Sequence, residues 1–408
     1  MSALAATKPP VARLAVLASH PIQYFAPWFR HLAKQLDLQV FYAHRQDADG
    51  QAAAGFSVKF DWDVPLTEGY PHRWLKNVSE HPGLGTYGGC DTPEISELVR
   101  DGKFDAFLIQ GWNRKSFAQA IRACWKHKLP VLMRGDSQLS TRRSSLKSAL
   151  KYLPYRCFLP RIDAHLYVGQ RNLAYLRHYG VSERQLHFSP HFVDNEFFAT
   201  RAEQARSSGR VEALRKEFDI PPAAFVALFV GKFIPKKRAE DFIRASLTVA
   251  QTEPRYHALL VGDGPLRSRL ESLAHGNKRL HFAGFRNQSE LPACYAVADV
   301  LVLPSDGEET WGLVVNEAMA CGLPAIVSDA VGCGPDMIET GRTGDTFPVG
   351  DSESLALKLS EWMQLDRSGR RVTEQVAAKA KEYSMERATA GLEQAIRAVP
   401  RGVKTSRP

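Results

Sequence analysis

The chain has 408 residues, 44% of them hydrophobic and 24% charged, with a formal charge of +9; this length accommodates two domains, and the balance excludes a largely disordered protein. Its six cysteines (Cys90, Cys124, Cys157, Cys294, Cys321 and Cys333) show neither metal-type nor redox-type spacing, which sets aside a zinc site and a disulfide framework and points to a reducing, cytoplasmic setting. No apolar run approaches a membrane span, and residues 14–18 are too short for a signal core, so neither a secreted nor an integral protein is expected.

In chain order, residues 1–10 read as a flexible tail. An apolar run over 11–18, a helical period over 22–36 and a second apolar run over 38–42 predict a βαβ start. The turn Ser19-His20-Pro21-Ile22-Gln23-Tyr24-Phe25 falls at the carboxyl end of the first strand, where open α/β sheets bind ligands. His20 is therefore a candidate site residue, although a histidine capping the turn fits the same spacing. Residues 44–92 lack periodicity, and a long irregular insertion of this kind is where acceptor recognition is expected. Strands at 104–110 and 131–133 enclose a helix at 114–127. The loop that follows, Arg134-Gly135-Asp136-Ser137, brings Arg134 and Asp136 to the same edge, either as contacts to hydroxyls or phosphate or as an internal ion pair.

The charge excess belongs to the first half: residues 1–200 hold 25 Lys+Arg against 17 Asp+Glu, and the remainder 28 against 27. Arg142, Arg143, Lys147, Lys151, Arg156 and Arg161 meet no acid between residues 137 and 162. Arg143, Lys147 and Lys151 recur at helical spacing, with Leu146, Leu150 and Leu153 on another face. That is the pattern of a basic amphipathic helix lying on an anionic membrane surface, or of a solvated basic face, and 142–161 is the candidate segment. It comes without a nucleic-acid module, so no nucleic-acid partner is expected.

A strand at 164–168 and a helix at 171–179 complete a first unit over 11–200. Residues 201–222, charged and ending in Pro221-Pro222, read as a linker with a short helix. A second alternation fills 223–370. Its first strand, 225–230, runs into Gly231-Lys232-Phe233-Ile234-Pro235-Lys236-Lys237-Arg238, a glycine-started basic loop suited to a pyrophosphate or, more plainly, a solvated charge run. Further on, the apolar run 299–304 leads into Ser305-Asp306-Gly307-Glu308-Glu309 and then a helical period from Leu313 that stops at Gly322 and Pro324. Glu309 then overhangs a strand end, and Glu317, leaning back along the helix, points toward the same crevice. Two carboxylates suit pairs of hydroxyls and a helix start suits a phosphate, which together describe a sugar nucleotide; glutamates serving only the helix dipole are the plainer alternative. Residues 371–408 are expected to be helices and a tail.

The string from Glu309 to Pro324, two glutamates with seven residues between them, resembles the signature of the family-four retaining glycosyltransferases. Ser189 to Phe198 resembles that family's Val-Asp-x-x-x-Phe element, Gly262-Asp263-Gly264-Pro265 its Gly-x-Gly-Pro turn, and the basic loop its Gly-Arg-x-x-x-x-Lys-Gly element, with Lys232 for arginine and Arg238 for the second glycine. The resemblance implies the GT-B architecture, two Rossmann-like doubly wound parallel-sheet domains facing a central crevice, with the last helices returning to the first domain. It implies transfer of a sugar from a UDP-sugar or GDP-sugar to a glycan or lipid-linked acceptor with retention of configuration, in cell-surface polysaccharide or glycolipid synthesis, without metal or cofactor. Carried onto this sequence, Gly231, Lys232, Lys237, Phe285, Glu309, Trp311, Gly312, Leu313, Val314 and Glu317 are the expected donor contacts, with Glu317 at the ribose and Glu309 facing the sugar. His20, Arg134 and Asp136 are the expected acceptor contacts, and Glu309, Lys232, Lys237, Asp136 and His20 the catalytic set. Asp336 stands near the family's Gly-x-x-Glu position. A nucleotide-sugar epimerase or phosphorylase of similar fold, or a non-catalytic sugar-nucleotide-binding protein, are the rival readings.

Overall fold

The computed structural model describes residues 12–140, 145–365 and 370–399. The expected tail, 1–10, lies outside them, as do Arg142 and Arg143. Seven strands form the first sheet: β1 (Arg13–Ala18), β2 (Asp37–Tyr42), β3 (His72–Trp74), β4 (Ala106–Gln110), β5 (Val131–Gly135), β6 (Ala164–Tyr167) and β7 (Leu186–Phe188). All pair in parallel in the order β3-β2-β1-β4-β5-β6-β7. The second sheet holds β8 (Phe225–Val230), β9 (Tyr256–Val261), β10 (Leu280–Gly284), β11 (Val300–Leu303), β12 (Ala325–Ser328) and β13 (Gly344–Phe347), parallel in the order β10-β9-β8-β11-β12-β13. Each order reverses once, between β1 and β4 and between β8 and β11. At such a reversal the loops leaving the two strands diverge to opposite faces and open a crevice at the carboxyl edge.

Strands covered by helices on both faces read as unbroken apolar runs, and β8 and β9 are buried at every residue. The two-residue period still sorts them: Val226, Leu228 and Val230 enter one core, Phe225, Ala227 and Phe229 the other. The first of these cores also takes Phe198, Ala202 and Leu214. They come from helices Asn195–Ser207 and Arg210–Glu217, so residues 201–222, whose composition reads as a linker, are largely helical and packed beneath the second sheet. Helix Met385–Ala398 crosses in the other direction. It buries Ala388, Leu392 and Ala395 with Leu14 and Val16 of β1, and Thr389 accepts the indole N–H of Trp28 at 2.9 Å.

Two stretches differ from the sequence reading. Arg134, expected in a loop, is still within β5, opposite Gln110 and Leu166. Helix Ser145–Phe158 turns Lys151 inward: its ammonium donates to the Tyr175 hydroxyl at 3.0 Å and lies 4.1 Å from the ring centre of Tyr155. Leu150 and Leu153 face outward, 69% and 67% exposed. The side chains of Leu146 and Lys147 lie outside the described residues. Among those residues no helix is long and apolar enough to cross a membrane.

Candidate active site

Loops from the reversal point of the second sheet meet loops from the first across one cavity of about 390 Å³, a volume in the range of small-ligand sites. The loop after β8 supplies Gly231, Lys232 and Lys237, and the first domain supplies Tyr24. Here the chains run very close. A Cβ on Gly262, whose φ is +140°, would stand 1.9 Å from the Gly231 carbonyl oxygen, so only glycine lets the turn after β9 support the basic loop. Lys232 is pressed against the ring of Phe56 with its ammonium 4.2 Å from the ring centre. Burial, then the charges of Lys237 and Lys236, bring its pKa down to about 8.

The helix Leu313–Ala320 starts at Gly312, φ +103°; a Cβ there would meet Leu303 at 2.6 Å. Glu317 on this helix and Glu309 in the loop before it have opposite surroundings. Glu309, 13% exposed, forms an ion pair with Lys237 and accepts from Ser305 Oγ at 3.3 Å. Burial alone would raise its pKa, but Lys237 and Lys236 hold it below the ordinary value. Glu317 is fully buried yet borders the cavity. One oxygen accepts from the Tyr24 hydroxyl at 2.8 Å and the other from the Tyr295 hydroxyl. Burial outweighs these hydrogen bonds and raises its pKa to about 7. Thus one carboxylate is held ionised beside cations, while the other sits between two phenols.

Of the other expected donor contacts, Phe285 and Val314 border the cavity, whereas Leu313 packs on the core beneath the helix. Trp311 is wedged between the domains. Its indole donates to Asn316 at 2.8 Å, its ring lies 5.3 Å from that of His191, and a Cβ on Gly169 would strike it at 2.4 Å. It shapes the domain contact rather than the cavity wall.

Of the three expected acceptor contacts, Arg134 is enclosed, 3% exposed. Its guanidinium donates to the Pro190 carbonyl at 2.8 Å and lies 5.5 Å from the ring centres of Phe25, Trp28 and Phe192; burial lowers its pKa to about 10. Its place within β5 directs it into the core, so it presents nothing to a ligand in this arrangement. Asp136 does reach the crevice: half exposed, it accepts from the Thr310 hydroxyl of the second domain at 2.6 Å and stands 3.9 Å from His191 Nε2. His20 closes the end of β1 with Nδ1 2.9 Å from Ser19 Oγ. Burial, then His44 and Arg114, lower its pKa to about 4, leaving a neutral imidazole at pH 7.

Sequence reading missed Tyr24 and Tyr295, which hold Glu317, and Phe56 and Trp62, which border the cavity. Tyr24 lies within the turn after β1, where position alone made it findable. Tyr295 sits on the short helix Leu291–Val297 among core residues and carries no local signal.

Residues 210–381 match the family described as glycosyl transferases group 1. Part of the chain is 34% identical over 170 residues to N-acetyl-alpha-D-glucosaminyl L-malate synthase of Bacillus anthracis, covering 40% of this chain and 43% of that protein. Another part is 38% identical over 146 residues to a GDP-mannose-dependent alpha-mannosyltransferase of Mycobacterium tuberculosis, covering 36% of each. The matched segments thus span less than half of these relatives. Among solved structures, Anabaena HepE in complex with UDP and glucose superposes with a TM-score of 0.68 at 16% identity, covering 95% of this chain and all of that one. Sucrose-phosphate synthase from Thermosynechococcus elongatus gives 0.65 at 19% identity, covering 94% and 98%. The architecture shared with these structures is GT-B.

Proposed function

We propose, for a chain whose residues 210–381 match the glycosyl transferases group 1 family and whose fold is GT-B, that the protein is a retaining glycosyltransferase moving a sugar from a nucleoside diphosphate sugar to a glycan or lipid-linked acceptor. One observation carries the reading: the basic loop Gly231–Lys237 and the helix bearing Glu317, with Glu309 tied to Lys237, converge at the reversal point of the second sheet on a cavity of ligand size. The names of the relatives, one of them GDP-mannose-dependent, support a nucleotide-sugar donor.

In this reading the diphosphate lies against Lys232 and Lys237, and the ribose hydroxyls take the place of the Tyr24 and Tyr295 hydroxyls on Glu317. As the bond from the anomeric carbon to the diphosphate oxygen breaks, negative charge grows on the diphosphate and positive charge on the sugar. The lysines stabilise the first and Glu309 the second, and both interactions strengthen toward the transition state. The acceptor hydroxyl then attacks the anomeric carbon on the face the diphosphate leaves and gives its proton to the departing diphosphate oxygen, with Asp136 and His20 on the acceptor side. Lysines supply the charge that a divalent metal supplies elsewhere, so the reaction is read as metal-independent. Helix Ser145–Phe158, with Leu150 and Leu153 exposed in a stretch rich in basic residues, is read as resting on an anionic membrane surface, which suits a lipid-linked acceptor and a role in cell-surface polysaccharide or glycolipid synthesis.

The test is a thermal-shift screen of UDP- and GDP-sugars. A ligand at one hundred times its Kd adds about 2.7 kcal/mol and should raise the melting temperature measurably. An unmoved transition with every nucleoside diphosphate sugar would remove the donor reading.

A further inference from the structure

We propose that the segment after β2, residues 47–64 of the first domain, forms the wall against which the donor's nucleotide base is held, with Phe56 and Trp62 setting affinity for the base. The proposal rests on the reading of the cavity as a nucleoside diphosphate sugar site.

The segment leaves the first sheet and docks on the second domain. Asp47 caps the turn Ala48–Gln51 by accepting from the Gly50 N–H at 2.8 Å. The chain then widens into a π-helical turn over Ala52–Phe56, with Gly55 at φ +99°; a Cβ on Gly55 would stand 3.5 Å from both Ile234 and Lys232 of the basic loop. Beyond this turn the backbone is tethered to the loop after β10. The Asn287 side-chain amide donates to the Asp61 carbonyl at 2.8 Å, and the Asp63 carboxylate accepts from the Ser289 N–H at 3.2 Å and from its hydroxyl. An extended insertion on one domain is thus fastened to the other by directed hydrogen bonds.

Four rings gather at this junction. Phe60 lies 4.3 Å from Phe285, 4.9 Å from Phe56 and 5.0 Å from Trp62, and Phe56 lies 5.7 Å from Phe285. Phe60 is the hub, while Phe56, Trp62 and Phe285 present surface to the cavity. Assigning the phosphates to Lys232 and Lys237 and the ribose to Glu317 leaves the end bordered by Phe285, Arg286 and Gln288 for the base. A flat π-system needs an apolar face and polar edges: Phe56 and Trp62 offer the face, Arg286 and Gln288 the edge. Stacking a base on an aromatic side chain is worth roughly tenfold in affinity, and of the rings at this end of the cavity Phe56 and Trp62 come from the first domain and Phe285 from the second.

Isothermal titration of the full chain with UDP, GDP and inorganic pyrophosphate tests the assignment. Trp62→Ala and Phe56→Ala should each weaken whichever nucleoside diphosphate binds by about tenfold and be rescued in large part by Trp62→Phe and Phe56→Tyr; Trp62→Ala should leave pyrophosphate within twofold, and Phe56→Ala, whose ring also packs on Lys232, should weaken pyrophosphate less than the nucleoside diphosphate. Lys237→Ala, in contrast, should weaken both kinds of probe. Unchanged nucleoside diphosphate affinity in both alanine variants, or an equal loss for pyrophosphate, overturns the proposal. If neither UDP nor GDP binds the unaltered protein, the donor reading fails and this one with it.

Discussion

Glu309 and Glu317 lie eight positions apart and are both withdrawn from water, yet their surroundings separate them. Beside Glu309 two lysines overcome the desolvation that would otherwise raise its pKa; beside Glu317 two phenols do not, and its pKa reaches about 7. The kinetic consequences should differ. With ribose on Glu317 as proposed, Glu317→Ala should mainly raise the donor KM, because such contacts are similar in ground and transition states; Glu309→Ala should mainly lower kcat. Equal falls in kcat with unchanged donor KM would defeat this division. The raised pKa of Glu317 also has a sign for stability. Between about pH 4.5 and 7 the folded protein holds a proton there that the unfolded chain has released, so the stability present below pH 4.5 is lost as pH rises toward 7, on the order of 3 kcal/mol. Asp336, raised from 3.8 to about 6 mainly by burial, adds a loss of the same sign over pH 3.8 to 6. Glu317→Gln keeps an acceptor for one phenol and a donor for the other without a charge to bury. The variant should melt higher than the parent at pH 8 and show a flatter profile from pH 5 to 8, whereas parallel profiles would show that Glu317 does not titrate in this window.

At the level of elements, the unit that matters is strand, loop, helix: β11, Ser305 to Gly312, and Leu313–Ala320. It was legible because each part is local: a buried run reads as strand, the glycine as a turn, and the following apolar period as helix. The basic loop after β8 was legible for the same reason, and its lysines imply that EDTA should leave sugar transfer intact. Activity lost in chelator and restored by magnesium or manganese would contradict this account of the leaving group. Helix Ser145–Phe158 was less legible. Spacing put Lys151 with the basic face, but its four-methylene stem and ammonium find a set of tyrosines, and a cation over an aromatic ring is stabilised there. Among the outward residues described are Leu150 and Leu153, each worth about 1.5–3 kcal/mol if fully buried. Leu150→Asn with Leu153→Asn should therefore cut co-sedimentation with anionic vesicles several-fold, and Lys151→Gln should change it little. Vesicle binding that survives loss of both leucines would leave this helix as a solvated face.

Across the whole molecule, the two domains are joined by more than the chain crossing between them. Arg171 of the first domain donates to the carbonyls of Ala330 and Asp329 at 2.7 and 2.5 Å. Asp336 of the second accepts from the Gln170 N–H, 3.1 Å from each oxygen, and from the Tyr383 hydroxyl at 3.1 Å. With Asp136–Thr310 and Tyr24–Glu317, these contacts set the width of the crevice. Asp336→Ala leaves the partly buried Gln170 N–H and the buried Tyr383 phenol without their acceptor, a cost of about 1–3 kcal/mol. Paired with Arg171→Ala, it should enlarge the radius of gyration in small-angle scattering and raise the donor KM. Scattering identical to the parent's would mean that these contacts do not hold the domains together.

The sequence by itself determined the alternation of strands and helices, the places where loops leave strand ends, and the positions of Glu309, Glu317, Lys232 and Lys237, since each depends on neighbours within a turn or two. It also showed the basic loop and both glutamates to fall in the second of the two α/β units. Only the tertiary structure decided what those residues meet. Tyr24 reaches Glu317 from 293 residues away, Phe56 and Trp62 arrive from an aperiodic stretch, and Arg134 turns into a core one residue beyond the expected strand end. Periodicity reports which face of an element is buried; it carries no term for which other element covers that face, and in a crevice between two domains that covering is what builds the site.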